Sequence, residues 1–214
     1  MASEESNVPP NSSSPLPHIL VIEGSTRATR FGATVARWLM PIVEARTDLT
    51  SELADLRDWT FPYYDRDKSA SLTTPEDYEP EIRPWAEVVG RADGYIIITP
   101  EYNHGYPAVL KSALDALYTE WVRKPVAFAS YGGWSGGVRA VEQLRQVAIE
   151  LQMAPVRGSV TLQFAPRLFD AVGHIQNPDF FRAAATRMLD DLLWWTVALK
   201  SAREGGELVS SRHV

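Results

Sequence analysis

Residues 23–32, EGSTRATRFG, bring together side chains that could bind an anion. The segment carries three hydroxyl groups and two guanidinium groups, on Ser25, Thr26, Thr29, Arg27 and Arg30. Such donors, with the backbone N–H groups at the start of a helix, favour a phosphate site. The segment lacks the spacing of a Walker loop and of GxGxxG, so a phosphate monoester is expected rather than a triphosphate or a pyrophosphate. The alternative is an ordinary helix start with solvated arginines.

A second segment, TPEYNHGYP at 99–107, has the properties of a binding loop for a flat ring. Tyr102 can present a ring face, and Asn103 offers both a donor and an acceptor. Two prolines fix the backbone and a glycine permits close approach, which suits a heteroaromatic ligand held at its edge. The alternative is a rigid turn with a capping role. For His104, a hydrogen bond within the loop is favoured over catalysis.

The third segment, SYGGWSGG at 130–137, has four glycines in eight residues. So many glycines indicate a backbone that passes close to another group, although a merely permissive loop is the alternative. The same segment contains GxSxG around Ser135, the nucleophile pattern of α/β-hydrolases, and Asp170 and His174 follow in the required order. Ser135 lies several residues beyond the preceding strand and no HGGG-like segment precedes it, so serine hydrolysis is the less favoured hypothesis.

The elements that position these segments follow from hydrophobic periodicity. Short apolar runs predict five strands, and stripes at helical spacing predict five helices between and after them. Pro41 is expected to kink or end the first helix. The polar, proline-rich stretch 60–79 is expected to be a functional lid or a mobile segment. The predicted strands are 18–23, 50–56, 94–99, 125–130 and 159–163.

Alternating strands and helices predict an α/β fold, a parallel sheet covered on both faces by right-handed crossovers. At 214 residues a flavodoxin-like three-layer sandwich with strand order 2-1-3-4-5 fits better than a six-stranded dinucleotide fold. In that order ligands bind beyond the carboxyl ends of strands one and three. The three segments follow strands one, three and four, so all three are expected at this edge.

Composition and net charge limit the other classes of protein to which the chain could belong. The chain has no cysteine and only four widely spaced histidines, so no metal site is expected. A net charge of -6 argues against nucleic-acid binding. No apolar run is long enough to span a bilayer and no apolar leader opens the chain, so a cytoplasmic protein without membrane contact is expected. Residues 1–17, rich in Ser, Pro and Asn, are expected to be a disordered tail before one domain, 18–214.

The pattern Gly24-Ser25-x-Arg27, then PEYN at 100–103, then LKSALD at 110–115, then the glycine-rich loop resembles the NADPH-dependent FMN reductases. This flavodoxin-like family includes quinone, azo-dye and chromate reductases. The resemblance covers about residues 18–200, and the segment 55–65 also resembles the family's stretch after strand two. Two features depart from it: Arg30 and Gly32 stand where many members have Ser and Asn, and Trp134 lies in the glycine-rich loop.

The resemblance implies a set of FMN-binding residues. The phosphate would be held by Ser25, Arg27 and the following turn, with Arg30 and Phe31. The ring edge would lie against Pro100, Glu101, Tyr102 and Asn103, and the pyrimidine side against Ser130, Tyr131, Gly132 and Gly133. FMN would carry the redox chemistry, so no catalytic side chain is expected.

The expected function is hydride transfer from NADPH or NADH through FMN to a small-molecule acceptor such as a quinone, an azo compound or free flavin. A single crevice implies a ping-pong mechanism. A homodimer, or a tetramer, is expected because aromatic residues of 60–79, Trp121 and Trp134 look insufficiently buried for a lone sheet. A flavodoxin-type electron carrier without enzymatic activity is the other alternative, although carriers are usually smaller and more acidic.

Overall fold

A computed structural model describes residues 15–205. Five parallel strands form one sheet in the order β2-β1-β3-β4-β5, which confirms the predicted topology. The strands are β1 (His18–Glu23), β2 (Thr50–Asp55), β3 (Gly94–Pro100), β4 (Pro125–Tyr131) and β5 (Ala154–Leu162).

Six helices connect and follow these strands. They are α1 (Gly32–Glu44), α2 (Arg83–Arg91), α3 (Ala108–Asp115), α4 (Val138–Glu150), α5 (Ala165–Leu168) and α6 (Pro178–Glu204). Side chains of α1 and α6 pack in one apolar core, and side chains of α2, α3 and α4 pack in a second core on the opposite face of the sheet.

The two interior strands show why the sheet could be recognised. Every residue of β3 and β4 is buried, because helices cover both faces of a parallel sheet. A strand in that position is apolar throughout, and YIII and VAFA are such runs. β2 lies at the sheet edge and is largely exposed, so its sequence signal is weaker.

Three elements differ from their predicted bounds. β5 begins at Ala154 rather than at 159, because residues 154–155 pair with the start of β4. Pro155 and Gly158 interrupt the apolar run from which a strand is predicted, so the sequence does not indicate this first part of β5. α1 continues through Pro41 to Glu44, so Pro41 does not end it. The proline has no N–H to donate to the carbonyl four residues earlier, so the helix continues through Pro41 with one hydrogen bond fewer. α6 spans 27 residues, whereas the apolar stripe that predicts this helix runs only from Phe181 to Leu199.

The stretch 60–79 contains single 3₁₀ turns at Ala70–Leu72 and Pro75–Asp77 and is otherwise without helix or strand. Arg66 pairs with Glu79 and also donates to the carbonyl of Ala116 at 3.0 Å. Tyr78 is 2% exposed. These contacts hold the stretch on the α3 side of the sheet, and its role as a functional lid or a mobile segment stays a prediction.

The burial of Trp121 differs from the expectation. Trp121 is fully buried against Tyr95 and Trp85, so the prediction that it is insufficiently buried was wrong.

Residues 1–14 of the predicted tail lie outside the described residues. Pro17 is buried, and its carbonyl accepts a hydrogen bond from the Thr50 N–H at 2.9 Å. Within residues 15–205, no helix is long and apolar enough to cross a membrane.

Candidate functional site

The loops after β1, β3, β4 and β5 meet at one edge of the sheet. The strand registers place Glu23 beside Ile98, Pro100 beside Tyr131, and Tyr131 beside Leu162. Each loop therefore starts at nearly the same height, and residues distant in sequence come into contact. This is the switch-point edge where the strand order predicts a ligand.

A cavity of about 370 Å³ opens at this edge. Its volume is in the range of small-molecule sites, and most of its lining is apolar or aromatic. Seven of the eleven lining residues are among the twelve that the sequence resemblance implies: Phe31, Pro100, Glu101, Tyr102, Tyr131, Gly132 and Gly133. The other four are Phe164, Ala165, Pro166 and Arg167.

Beside this cavity, hydroxyl groups converge on the loop after β1. The Tyr102 hydroxyl lies 2.7 Å from Ser25 Oγ, and the Arg27 guanidinium lies 5.9 Å from the Tyr102 ring centre. α1 begins directly after this loop, with no side chain capping its N-terminus and no acidic residue in its first turn. Arg27 and the backbone N–H groups of this helix start therefore offer donors that could bind an anion.

Arg30 has a different environment from Arg27. Its Nε donates to Glu23 Oε2 at 2.6 Å, and its Nη2 donates to the carboxylate of Asp55. These carboxylates stand at the ends of neighbouring strands β1 and β2. Arg30 therefore joins two strand ends, whereas the side chain of Arg27 is exposed.

Glu23 is a buried acid at the same place. Its side chain is 2% exposed, and this burial raises its pKa from the ordinary value of 4.5 to about 7 despite the hydrogen bond from Arg30. Its Oε1 has no hydrogen-bond partner among the described residues, and neither does the buried hydroxyl of Tyr131. Both atoms crowd Gly32, where a Cβ would lie 2.2 Å from Glu23 Oε1 and 2.8 Å from the Tyr131 hydroxyl. Only glycine fits at this position.

The loop after β3 is a tight reverse turn. The Tyr102 N–H donates to the Gly105 carbonyl at 2.8 Å and the Gly105 N–H returns a bond to Tyr102 at 3.0 Å. Asn103 and His104 occupy the centre with φ of 50° and 71°, a pair typical of a type I′ turn. Both side chains are exposed, and the His104 carbonyl accepts from Gln143 Nε2 at 3.1 Å. Asn103 is not among the residues that line the cavity.

The glycine-rich loop after β4 requires two of its glycines for conformation and packing. Gly136 and Gly137 have φ of 63° and 92°, and a Cβ would lie 2.6 Å from Thr161 and 2.7 Å from Ser130, respectively. Gly133 has nothing within 4 Å of its added Cβ and lines the cavity. The buried Ser130 Oγ has no partner within residues 15–205. No side chain therefore covers Gly133 on its cavity side, although its carbonyl already accepts from the Phe164 N–H at 2.9 Å.

Ser135 has none of the contacts of a hydrolase nucleophile. Its Oγ lies 3.4 Å from the Gly137 N–H, and its hydroxyl also helps to hold the pKa of Glu101 below the ordinary value, although burial opposes this shift. Asp170 and His174 contact each other at 3.2 Å on the surface. Within the described chain, no hydrogen bond connects His174 to Ser135, so the triad that the sequence order permits is not assembled.

The sequence reasoning missed the residues that follow β5. Phe164 to Arg167 were not considered, although the rule that selected the other loops applies equally to the end of the fifth strand. The predicted strand ended at 163, so the signal was present in the position of the segment. Its residue types gave no further indication, because Phe-Ala-Pro-Arg resembles an ordinary turn into a helix.

The arrangement fits FMN in three respects. A helix start with Arg27 can hold a phosphate monoester, an apolar cavity beside it can hold a ring system, and no side chain covers Gly133 where it lines that cavity. The unpartnered hydroxyl of Tyr131 is buried beside Gly32, the first residue of this helix. A flavodoxin-like sheet with a single-phosphate loop and a flat-ring cavity at the switch point defines the class of FMN-binding flavoproteins.

Comparison with known proteins identifies the family. Residues 17–167 match the family described as NADPH-dependent FMN reductase. An NAD(P)H-dependent FMN reductase of Schizosaccharomyces pombe is 38% identical over 148 residues, covering 68% of this chain and 74% of that protein. A quinone reductase of Escherichia coli is 33% identical over 140 residues, covering 62% of this chain and 70% of that protein.

A solved structure has the same fold. The flavoenzyme NAD(P)H:(acceptor) oxidoreductase FerB of Paracoccus denitrificans superposes with a TM-score of 0.65 at 21% identity, covering 86% of this chain and 98% of that one. The chain belongs to the NADPH-dependent FMN reductase family. It is therefore an oxidoreductase of the FMN reductase and quinone reductase type, with FMN as cofactor and NAD(P)H as hydride donor.

Proposed function

We propose that this protein transfers a hydride from NAD(P)H through FMN to a quinone, an azo compound or free flavin by a ping-pong mechanism. The observation that carries the proposal is the cavity at the switch-point edge, in which residues from four loops share one space. Both reactants must use that space in turn. FMN, when bound, accepts two electrons as a hydride and returns them to the acceptor, which takes up a proton from solvent.

The protein's own contribution is to bind and orient the reactants. Arg27, Ser25 and the start of α1 hold the phosphate. Pro100 to Tyr102 and Tyr131 to Gly133 line the ring, with Phe31 at the cavity wall, while Asn103 and Ser130 flank these segments without lining the cavity. Arg30 supports the phosphate loop through Glu23 and Asp55. Because the redox chemistry belongs to FMN, no side chain needs to act as a general acid.

We also propose a homodimer, or a tetramer built from it, in which the partner closes part of the flavin pocket. Large apolar side chains remain exposed on a single chain: Tyr63 is 90% exposed and Leu72 is 69% exposed. Covering such side chains would stabilise an oligomer. Sedimentation that shows only the monomer at micromolar concentration would reject the proposal.

Steady-state kinetics test the ping-pong mechanism. NAD(P)H and a quinone are varied together on the FMN-loaded protein, and parallel lines in the double-reciprocal plot are expected. Lines that converge would show that both reactants bind at once. An FMN-loaded protein that oxidises neither NADPH nor NADH with any quinone would instead favour the electron carrier. Labelling of Ser135 by a fluorophosphonate would favour the hydrolase.

A further inference from the structure

Phe164 to Arg167 form one wall of the cavity. The residues proposed to bind the flavin come from the other three loops, so this wall has no assigned role in the proposed function. The Phe164 ring is 39% exposed, and the Trp134 ring packs against its edge with centres 6.0 Å apart at 83°. Trp134 itself is 77% exposed. The wall therefore offers an aromatic surface that the rest of the described chain leaves largely uncovered.

The backbone holds Phe164 at this wall in a costly conformation. Its φ of 47° and ψ of 41° are left-handed, a conformation in which the Cβ of an ordinary residue crowds the backbone. Two hydrogen bonds fix it there: the Phe164 N–H donates to the Gly133 carbonyl at 2.9 Å, and the Ala165 N–H donates to the Gly132 carbonyl at 3.1 Å. A bulky side chain kept in this region points to use of the side chain, because glycine would adopt it without cost.

Arg167 gives the same wall a positive charge. Its guanidinium carbon lies 5.4 Å from the Phe164 ring centre. The other charged residue of the lining, Glu101, pairs with Arg139 at 2.7 Å, whereas Arg167 has no carboxylate within ion-pair distance among residues 15–205. A guanidinium stacked on an aromatic ring keeps its N–H edge available for a planar anion.

We propose that Phe164, Trp134 and Arg167 form a subsite that selects planar aromatic acceptors bearing a sulfonate or a carboxylate. The acceptor ring lies against Phe164 and its anionic group accepts hydrogen bonds from Arg167. The subsite rests on the proposed function, since it binds the acceptor of that reaction. It adds a charge preference that the flavin-binding loops do not provide.

The kinetic test isolates the acceptor from NAD(P)H, which is itself an anion. FMN-loaded protein is reduced photochemically and then mixed with 1,4-naphthoquinone or its 2-sulfonate in a stopped-flow instrument. Arg167→Gln should lower the ratio of the sulfonated to the neutral rate constant, at subsaturating acceptor, about tenfold or more, since a hydrogen bond to a charged group is lost. The loss should lie in the half-saturation concentration rather than in the limiting rate. Arg167→Lys should keep part of the preference.

A matched control is Arg187→Gln, which removes one positive charge from an exposed site on α6. It should leave the ratio of the two quinones at the wild-type value. If it lowers the ratio as much as Arg167→Gln, the preference comes from overall charge and the subsite is rejected. An unchanged ratio in Arg167→Gln rejects the subsite as well.

A binding measurement gives a readout that does not depend on turnover. Calorimetric titration of the FMN-loaded protein with 2-naphthalenesulfonate should show about tenfold weaker binding in Arg167→Gln, and weaker binding in Phe164→Leu. If wild-type protein reduces no quinone but the titration gives this result, the proposed function fails and the subsite stands. If Arg167→Gln weakens FMN but not riboflavin, Arg167 binds the flavin phosphate and the subsite is wrong.

Discussion

Arg30 and Glu23 form an ion pair that is almost closed to solvent, with Nε donating to Oε2 at 2.6 Å. The side chains are 9% and 2% exposed. The pair connects the loop after β1 to the end of that strand, and Asp55 extends the connection to the end of β2. The loop proposed to bind the phosphate is therefore held by charges whose state depends on pH.

Glu23→Gln should change the pH dependence of stability. Burial raises the Glu23 pKa from 4.5 to about 7, so the folded protein holds this proton more tightly than the unfolded chain. The stability contributed by Glu23 is fully present below pH 4.5 and is lost as the pH rises through about 7. Between pH 5 and 8, the urea-unfolding free energy of wild type should fall by about 2–3 kcal/mol more than that of Glu23→Gln.

Glu44→Gln, which removes an exposed carboxylate at the end of α1, is the control for this loss of charge. The urea-unfolding free energy of Glu44→Gln should change between pH 5 and 8 in parallel with that of wild type. A constant difference between wild type and Glu23→Gln from pH 5 to 8 would show that Glu23 is ionised in the folded protein throughout that range.

Arg30→Met should destabilise the fold much more than Arg27→Met. Removing Arg30 leaves two neighbouring carboxylates without their cation, and breaking a buried pair in this way costs about 3–5 kcal/mol. Arg27 is exposed, so its loss should change stability by no more than about 0.5 kcal/mol. Urea denaturation of the apo proteins measures both values. Equal effects would contradict the structural role of Arg30.

Arg27→Ala should weaken FMN but not riboflavin. A charge-assisted hydrogen bond contributes about 1.5–3 kcal/mol, which corresponds to about a tenfold to hundredfold change in the dissociation constant. Riboflavin has the same ring without the phosphate. Titration that follows the quenching of flavin fluorescence gives both constants. If both flavins weaken equally, Arg27 does not contact the phosphate.

Tyr131→Phe should weaken FMN binding without lowering the stability of the apo protein. The buried hydroxyl has no partner within the described chain, so its removal should leave the stability of the apo protein unchanged or raise it by up to about 1 kcal/mol. FMN affinity should fall, because the hydroxyl lies beside the phosphate loop. Tyr95→Phe is the matched control, since the Tyr95 hydroxyl donates to the carbonyls of Val89 and Glu120, and this variant should lose stability. A marked loss of stability in Tyr131→Phe would show that its hydroxyl is bonded in the folded protein.

The sequence predicted the sheet well where burial alone determines residue type. β3 and β4 were placed to within one residue, because an interior parallel strand must be apolar along its whole length. Trp121 was misjudged because its burial depends on Trp85 and Tyr95, which come from other elements. Tertiary contacts of this kind leave no local pattern.

The site was predictable in part for the same reason. The loops after β1, β3 and β4 carry glycines, hydroxyls and an amide whose chemistry can be read locally. The hydrogen bond from Arg30 to Asp55 could not be predicted from local sequence, because it requires β2 to lie beside β1 in a particular register. The position of Phe164 to Arg167 after β5 could have indicated that they lie at the same edge, but the left-handed conformation of Phe164 could not be predicted, because no residue type there indicates it.

An anaerobic titration of the FMN-loaded protein tests the central claim most directly. NADPH or NADH is added stepwise while the flavin absorbance is followed, and a quinone is then added in the absence of remaining nicotinamide. The account predicts that one equivalent of NAD(P)H per flavin removes the oxidised absorbance and that one equivalent of quinone restores it. Absorbance that neither nicotinamide removes, or that returns only while NAD(P)H stays bound, would contradict it.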